Sequence, residues 1–195
     1  MRKRFAKTSR TRRERGAKGH RFEHWYVDHQ VYFITARCRD RHPAFADERA
    51  KAIFWDRFDH YTAQARFEPW VVSLLDNHYH ILGYNAAADG LKVMMQRFHG
   101  SVAKLVNDLL PERRSDFWRD KLGREFFDGC IRDAKQAERS WRYTRDQSVR
   151  HGLRERWEDY PHTRVYGEAD RLIAWARGAE AFMEDVPYRR YARRR

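Results

Sequence analysis

Two short constellations carry the side chains best suited to chemistry. His78 and His80 are separated by a single residue, Tyr79. On a strand, residues two apart project from one face, so both imidazoles can reach one ligand while Tyr79 points to the other face. Neutral imidazole is the commonest protein metal ligand, yet a His pair alone is also met in purely structural settings. A closed zinc site would need two further good ligands, and no suitably spaced Cys or His cluster supplies them. An open site with two imidazoles, one oxygen ligand and waters better suits Mg²⁺ or Mn²⁺ acting on a phosphate.

The second constellation is Tyr143 with Gln147. In a helix over this region, Ala134, Ala137 and Trp141 form one apolar stripe, whereas Gln136, Arg139, Ser140, Tyr143 and Gln147 fall on another side. The four-residue gap stacks Gln147 one turn beyond Tyr143, so a tyrosyl oxygen and an amide oxygen can converge. Arg139, Arg142, Arg145 and Arg150 lie around them and are candidate nucleic-acid contacts. A phenol ionises near pH 10 and needs a base, a cation or a metal to act as a nucleophile at neutral pH. The plain alternative is that Tyr143, one of ten tyrosines, covers surface.

The elements that must position these groups can be read from periodicity. Gln30–Arg37 is rich in β-branched and aromatic residues and reads as a strand that the Asp40–Pro43 stretch ends. Between Asp47 and Arg66, Ala50, Ile53, Phe54, Phe58, Tyr61 and Ala65 recur every three or four positions, an amphipathic helix with Asp47 as N-cap. Trp70–Leu75 and His78–Tyr84 read as a hairpin around Asp76-Asn77. A second helix runs from Ala88 to Leu109, with Pro111 beyond it, and Glu125–Asp128 reads as a short strand. A third helix covers Asp133–Gln147, and a last one Glu168–Glu184. Strand, helix, hairpin, helix and further strand predict an α+β sandwich with helices on a mostly antiparallel sheet.

Composition sets the outer bounds. The 195 residues hold 41 Lys+Arg against 28 Asp+Glu, a formal charge of +13. Such a charge favours a polyanionic partner, nucleic acid ahead of an anionic membrane. It is concentrated at the ends: Met1–Arg21 carries ten Lys/Arg and one acid, Tyr188–Arg195 five Arg and no acid, and the 166 residues between them are at −1. Residues 1–21, with Arg10, Arg12 and Arg13, and residues 188–195 read as basic arms that add phosphate affinity to a single domain over 22–187. A hydrophobic share of 42% excludes a disordered chain, and no apolar run reaches the length of a membrane span or resembles a signal peptide, so a cytoplasmic protein is expected. Cys38 and Cys130 have no Cys-x-x-Cys partner and read as small hydrophobes.

In order and spacing, Asn77-His78-Tyr79-His80, then Tyr143 to Gln147 on a helix, then Val149-Arg150-His151-Gly152-Leu153 resemble the HUH single-strand transposases, in particular the REP-associated tyrosine transposases. Thr35-Ala36-Arg37 followed by Arg39-Asp40-Arg41, Met95-Gln96-Arg97-Phe98, and Phe127-Asp128 before Ile131-Arg132 extend the similarity over Phe22 to Pro161. The resemblance implies a ferredoxin-like α+β sandwich that binds a DNA hairpin and cleaves adjacent single-stranded DNA. It implies Mg²⁺ or Mn²⁺ held by His78, His80 and Gln147, and Tyr143 as the nucleophile that forms a 5′-phosphotyrosine and frees a 3′-hydroxyl. A monomer or homodimer associated with the nucleoid, with no membrane partner, is the matching expectation. Two departures stand out: Asp76 where relatives have Pro before the Asn-His turn, and Gln147-Ser148-Val149 in place of Asn-Pro-Val. Asp76 is thereby an alternative metal ligand. A catalytically silent protein that binds structured nucleic acid, and a basic RNA-associated protein, are the competing expectations.

Overall fold

The structure is a computed structural model that describes residues 27–119, 123 and 125–185. Both basic arms, including Arg10, Arg12 and Arg13, lie outside the described residues. Strand β1 (Gln30–Arg37) leads into helix α1 (Glu48–Ala65), the hairpin β2 (Phe67–Leu74) and β3 (His78–Asn85), helix α2 (Ala88–Asn107) and strand β4 (Phe127–Cys130). Helices α3 (Ala134–Arg145) and α4 (Gln147–Arg150), strand β5 (Thr163–Val165) and helix α5 (Ala169–Gly178) follow. The strands form one sheet in the order β4-β1-β3-β2-β5, every neighbouring pair antiparallel. The first six elements are thus the split βαβ arrangement of ferredoxin-like sandwiches, and β5 extends the β2 edge.

Period-two alternation sorts the side chains of each strand into two apolar layers. Tyr32, Ile34 and Ala36 of β1 and Tyr79 and Ile81 of β3 pack on α1 and α2, against Phe54, Phe58, Leu91, Met95 and Phe98. Val31 of β1 and Leu82 and Tyr84 of β3 face the other way, onto Ala134, Ala137 and Trp141 of α3 and Ala176 of α5. α1 starts where Asp47 accepts a hydrogen bond from Arg49 N at 2.8 Å, and α3 where Asp133 accepts from Gln136 N at 2.7 Å. Such caps satisfy backbone donors that lack a partner in the first turn. Gly83 must lack a side chain: a Cβ there would stand 2.6 Å from the Phe67 ring and 2.7 Å from the Glu68 carbonyl oxygen.

The chain departs from its periodicity where local contacts outweigh pattern. β2 begins at Phe67 rather than Trp70, because a bulge between Pro69 and Val71 lets both halves pair with β3. α2 stops at Asn107 rather than Leu109, where the Asn107 side chain accepts from Arg114 N at 2.9 Å and donates to Arg114 O at 3.1 Å. β4 is Phe127–Cys130 rather than Glu125–Asp128, in register with Tyr32–Thr35. The expected helix over Asp133–Gln147 breaks at Asp146, whose carboxylate takes two hydrogen bonds from Arg145, so Gln147 opens the separate turn α4. The expected helix to Glu184 ends at Gly178; Glu180 adopts φ +52°, and Ala181 O then accepts from Val31 N at 3.1 Å. Cys38 is buried, Cys130 partly so, and neither forms a disulfide. Among the described residues no helix is long and apolar enough to cross a membrane.

Candidate active site

The central strand β3 carries the His pair on its α3 side. Alternation that buries Tyr79 and Ile81 against α1 and α2 turns His78 and His80 the opposite way, where they are 4% and 5% exposed. Their rings stand 5.2 Å apart at right angles. From β1, Thr35 lies opposite His80 and Arg37 opposite His78, while Ser73 of β2 flanks His80 from the other strand.

α3 brings Tyr143 to this floor. Ala134, Ala137, Trp141 and Thr144 form its buried stripe, which seats the helix on the sheet and leaves Tyr143 at the margin, 39% exposed. The Tyr143 ring meets His80 edge-on at 5.2 Å and Phe33 at 6.0 Å, while Phe33 stacks on His80 at 5.7 Å. Arg150 lays its guanidinium 4.9 Å from the centre of the Tyr143 ring, a cation–π contact. The tyrosine and both imidazoles are therefore in one contiguous group.

Gln147 is 1% exposed, a correction to its expected place on an open polar face. The turn at Asp146 rotates it inward, where its Nε2 donates to Tyr143 O at 2.8 Å. That bond identifies the amide nitrogen and leaves the oxygen for His78, with which Gln147 also interacts. On the other side of the His78 ring, Asn77 Oδ1 meets Nδ1 at 2.6 Å. Asn77 Nδ2 donates to Arg41 O at 3.1 Å, so its oxygen is the atom facing His78 and accepts from Nδ1 in the Nδ1–H tautomer. His80 Nδ1 is buried without a hydrogen-bond partner among the described residues. An unpartnered imidazole nitrogen beside the His78 ring, which Gln147 engages, fits a cation.

The protonation state agrees. Burial, then the charges of Arg37 and His151, push His78 down to about 4 against a partial opposing effect of Gln147. Burial and the neighbouring His78, Arg37, His151 and Arg150 hold His80 well below the usual histidine range. Both rings are neutral at pH 7, as a metal ligand requires. Among the described residues no three His, Cys, Asp or Glu side chains are placed to hold a metal.

The expected arginines divide. Arg150 is at the tyrosine, but Arg142 pairs with Glu138 at 2.6 Å on the exposed side of α3. Arg145 is held by Asp146 at 2.7 Å between the Trp141 and Trp157 rings, 5.0 and 5.4 Å from their centres. Arg139 is exposed on α3. Asp76, the alternative ligand, is engaged by Lys51 of α1 at 3.2 Å. Two residues of the group carried no assignment in the sequence. Arg37 follows from the alternation that puts it on the face of Phe33 and Thr35, but its place beside His78 depends on register. His151, whose ring lies 5.0 Å from His78, sits four residues after Gln147, a helical spacing that the pattern of α3 did not extend to.

No protein-family model and no curated protein sequence matches the chain. Among solved structures it is similar to a REP-associated tyrosine transposase bound to a REP hairpin, with a TM-score of 0.62 and 16% identity over 78% of this chain and 86% of that one. A second similar structure, assigned as a transposase from Deinococcus radiodurans R1, has a TM-score of 0.43 and 16% identity over 63% of this chain and 93% of that one. The five-stranded α+β sandwich is accordingly a fold shared with a tyrosine transposase.

Proposed function

We propose that this chain is a metal-dependent enzyme that cleaves and rejoins single-stranded DNA beside a hairpin, through a 5′-phosphotyrosine on Tyr143. The observation that carries the proposal is the contact of the Tyr143 ring with His80 at 5.2 Å beneath the Arg150 guanidinium, on the face where His78 and Gln147 converge. The fold shared with a hairpin-bound tyrosine transposase supports it.

His78, His80 and Gln147 would hold Mg²⁺ or Mn²⁺, which when bound supplies polarisation of the scissile phosphate and neutralises charge building on its non-bridging oxygens. Arg37 and Arg150 flank the imidazoles and draw the phosphate to the same floor. Phe33 and His80 fix the Tyr143 ring from two sides, which limits the directions its oxygen can take. Tyr143 Oη bonds to phosphorus as the bond from phosphorus to the 3′ oxygen breaks. The phenol gives up one proton and the departing 3′ oxygen gains one, so the exchange balances. Arg150 counters the negative charge that develops on the phenolic oxygen. The tyrosyl ester retains the phosphodiester energy, and attack by a 3′-hydroxyl reverses the step without a nucleotide cofactor.

Incubating the protein with hairpin-bearing single-stranded oligonucleotides and Mg²⁺ or Mn²⁺ tests this directly. A covalent protein–DNA adduct is expected, lost in Tyr143→Phe while DNA binding persists. Absence of an adduct across a broad substrate set, with binding intact, would make the chain a silent binding protein. An adduct in Tyr143→Phe would remove Tyr143 from the chemistry.

A further inference from the structure

The turn that delivers His78 is held by an ion pair whose lysine is buried and whose carboxylates are open to solvent. Lys51 projects from the inner face of α1 with its side chain only 8% exposed. Lysine is seldom buried unless paired. Here its ammonium reaches Asp76 Oδ1 at 3.2 Å and Glu48 Oε1 at 3.1 Å. Glu48 in turn meets His162 Nε2 at 2.9 Å, and Trp55 Nε1 donates to His162 Nδ1 at 3.2 Å. The ammonium is thus braced from α1 and from the residue preceding β5, and its free direction ends on Asp76.

Asp76 is the first residue of a short relay. Its carbonyl accepts from Phe45 N at 2.8 Å, and the next residue, Asn77, gives its carbonyl to Cys38 N at 2.8 Å and its Nδ2 to Arg41 O at 3.1 Å. Asn77 Oδ1 is then presented to His78 Nδ1 at 2.6 Å. A ring nitrogen that donates to such a partner fixes both the tautomer and the ring orientation of a ligating histidine. We propose that Lys51 is a positioning residue: through Asp76 and Asn77 it holds His78 as the Nδ1–H tautomer. This rests on the metal role of His78 proposed above, but the tautomer itself is a property of the metal-free chain.

The test compares Lys51→Met, which keeps the aliphatic stem, with Asp76→Asn, which keeps a hydrogen-bond acceptor at the turn. Side-chain ¹⁵N shifts of the metal-free protein report the tautomer of each histidine. The wild-type His78 ring is expected in the Nδ1–H form. Lys51→Met should give a mixture of tautomers at His78 with His99 unchanged, and Asp76→Asn a smaller shift in the same direction. Mn²⁺ titration followed by electron paramagnetic resonance should show affinity lowered about tenfold in Lys51→Met, the size expected when an outer-shell partner is lost. The double variant should bind no more weakly than Lys51→Met, since both act through one link. A His78 tautomer unchanged in both folded variants overturns the inference. Failure of the wild-type chain to bind Mn²⁺ overturns the metal assignment instead, and leaves the tautomer measurement to decide the role of Lys51.

Discussion

In metal-free protein, acidification from pH 7.5 to 5 should remove about 2 kcal/mol more stability from the wild-type chain than from His78→Gln. The buried His78 ring is held down to about 4, chiefly by loss of solvent and then by the Arg37 charge, whereas in an unfolded chain histidine titrates near 6.5. The unfolded state therefore takes up the proton first, and stability falls as pH drops from about 6.5 towards 4. Over the interval from pH 7.5 to 5, the unfolded imidazole becomes almost wholly charged while the folded one stays neutral, which amounts to about 2 kcal/mol. His99, depressed by burial alone, cancels in the comparison, whereas His80 loses the His78 contribution to its depression, a change in the same direction. Urea unfolding at the two pH values, with chelator present, measures the difference. Parallel pH dependences in the two proteins would refute the reasoning. So would a His78 ring that titrates near 6.5 in the folded wild type, which NMR reports even where the variant is weakly stable.

Other perturbations separate the layers of the molecule. Gly83→Ala forces a Cβ into the Phe67 ring and the Glu68 carbonyl and should destabilise by about 1–3 kcal/mol in denaturant unfolding. Asp47→Ala removes the α1 cap and should cost about 1 kcal/mol by the same measurement. Arg150→Ala leaves the fold intact, since the side chain is exposed, but should slow adduct formation about tenfold or more in a single-turnover assay. Deleting residues 1–21, which carry a net +9, should flatten the log–log salt dependence of single-stranded DNA binding by as much as about 6.

What could be read in advance was whatever one element decides alone. The alternation in Gln30–Arg37 and the stripes of α1 and α2 have strong periods, and those elements lie where the periods place them. β5 is three half-buried residues, Thr163–Val165, whose strand geometry comes from pairing with Val71–Ser73 rather than from any apolar pattern of its own. The same distinction runs through the site. That His78 and His80 share a face is a property of one strand, and that Tyr143 and Gln147 are near each other follows from helical spacing. That Gln147 is buried depends on the break after α3 at Asp146, and that Asp76 belongs to Lys51 depends on α1 packing across the sheet. Contacts between distant segments leave no periodic trace, and a charged residue such as Lys51 gives no sign in sequence that it will be enclosed.

The two faces of β3 carry different groups. Tyr79 and Ile81 sustain the core with α1 and α2, whereas His78 and His80 lie on the side of Tyr143. Substitution at the His78 and His80 face therefore spares the core with α1 and α2. Under the proposed function, a few residue changes at that face would separate a chain that cuts DNA from one that only binds it.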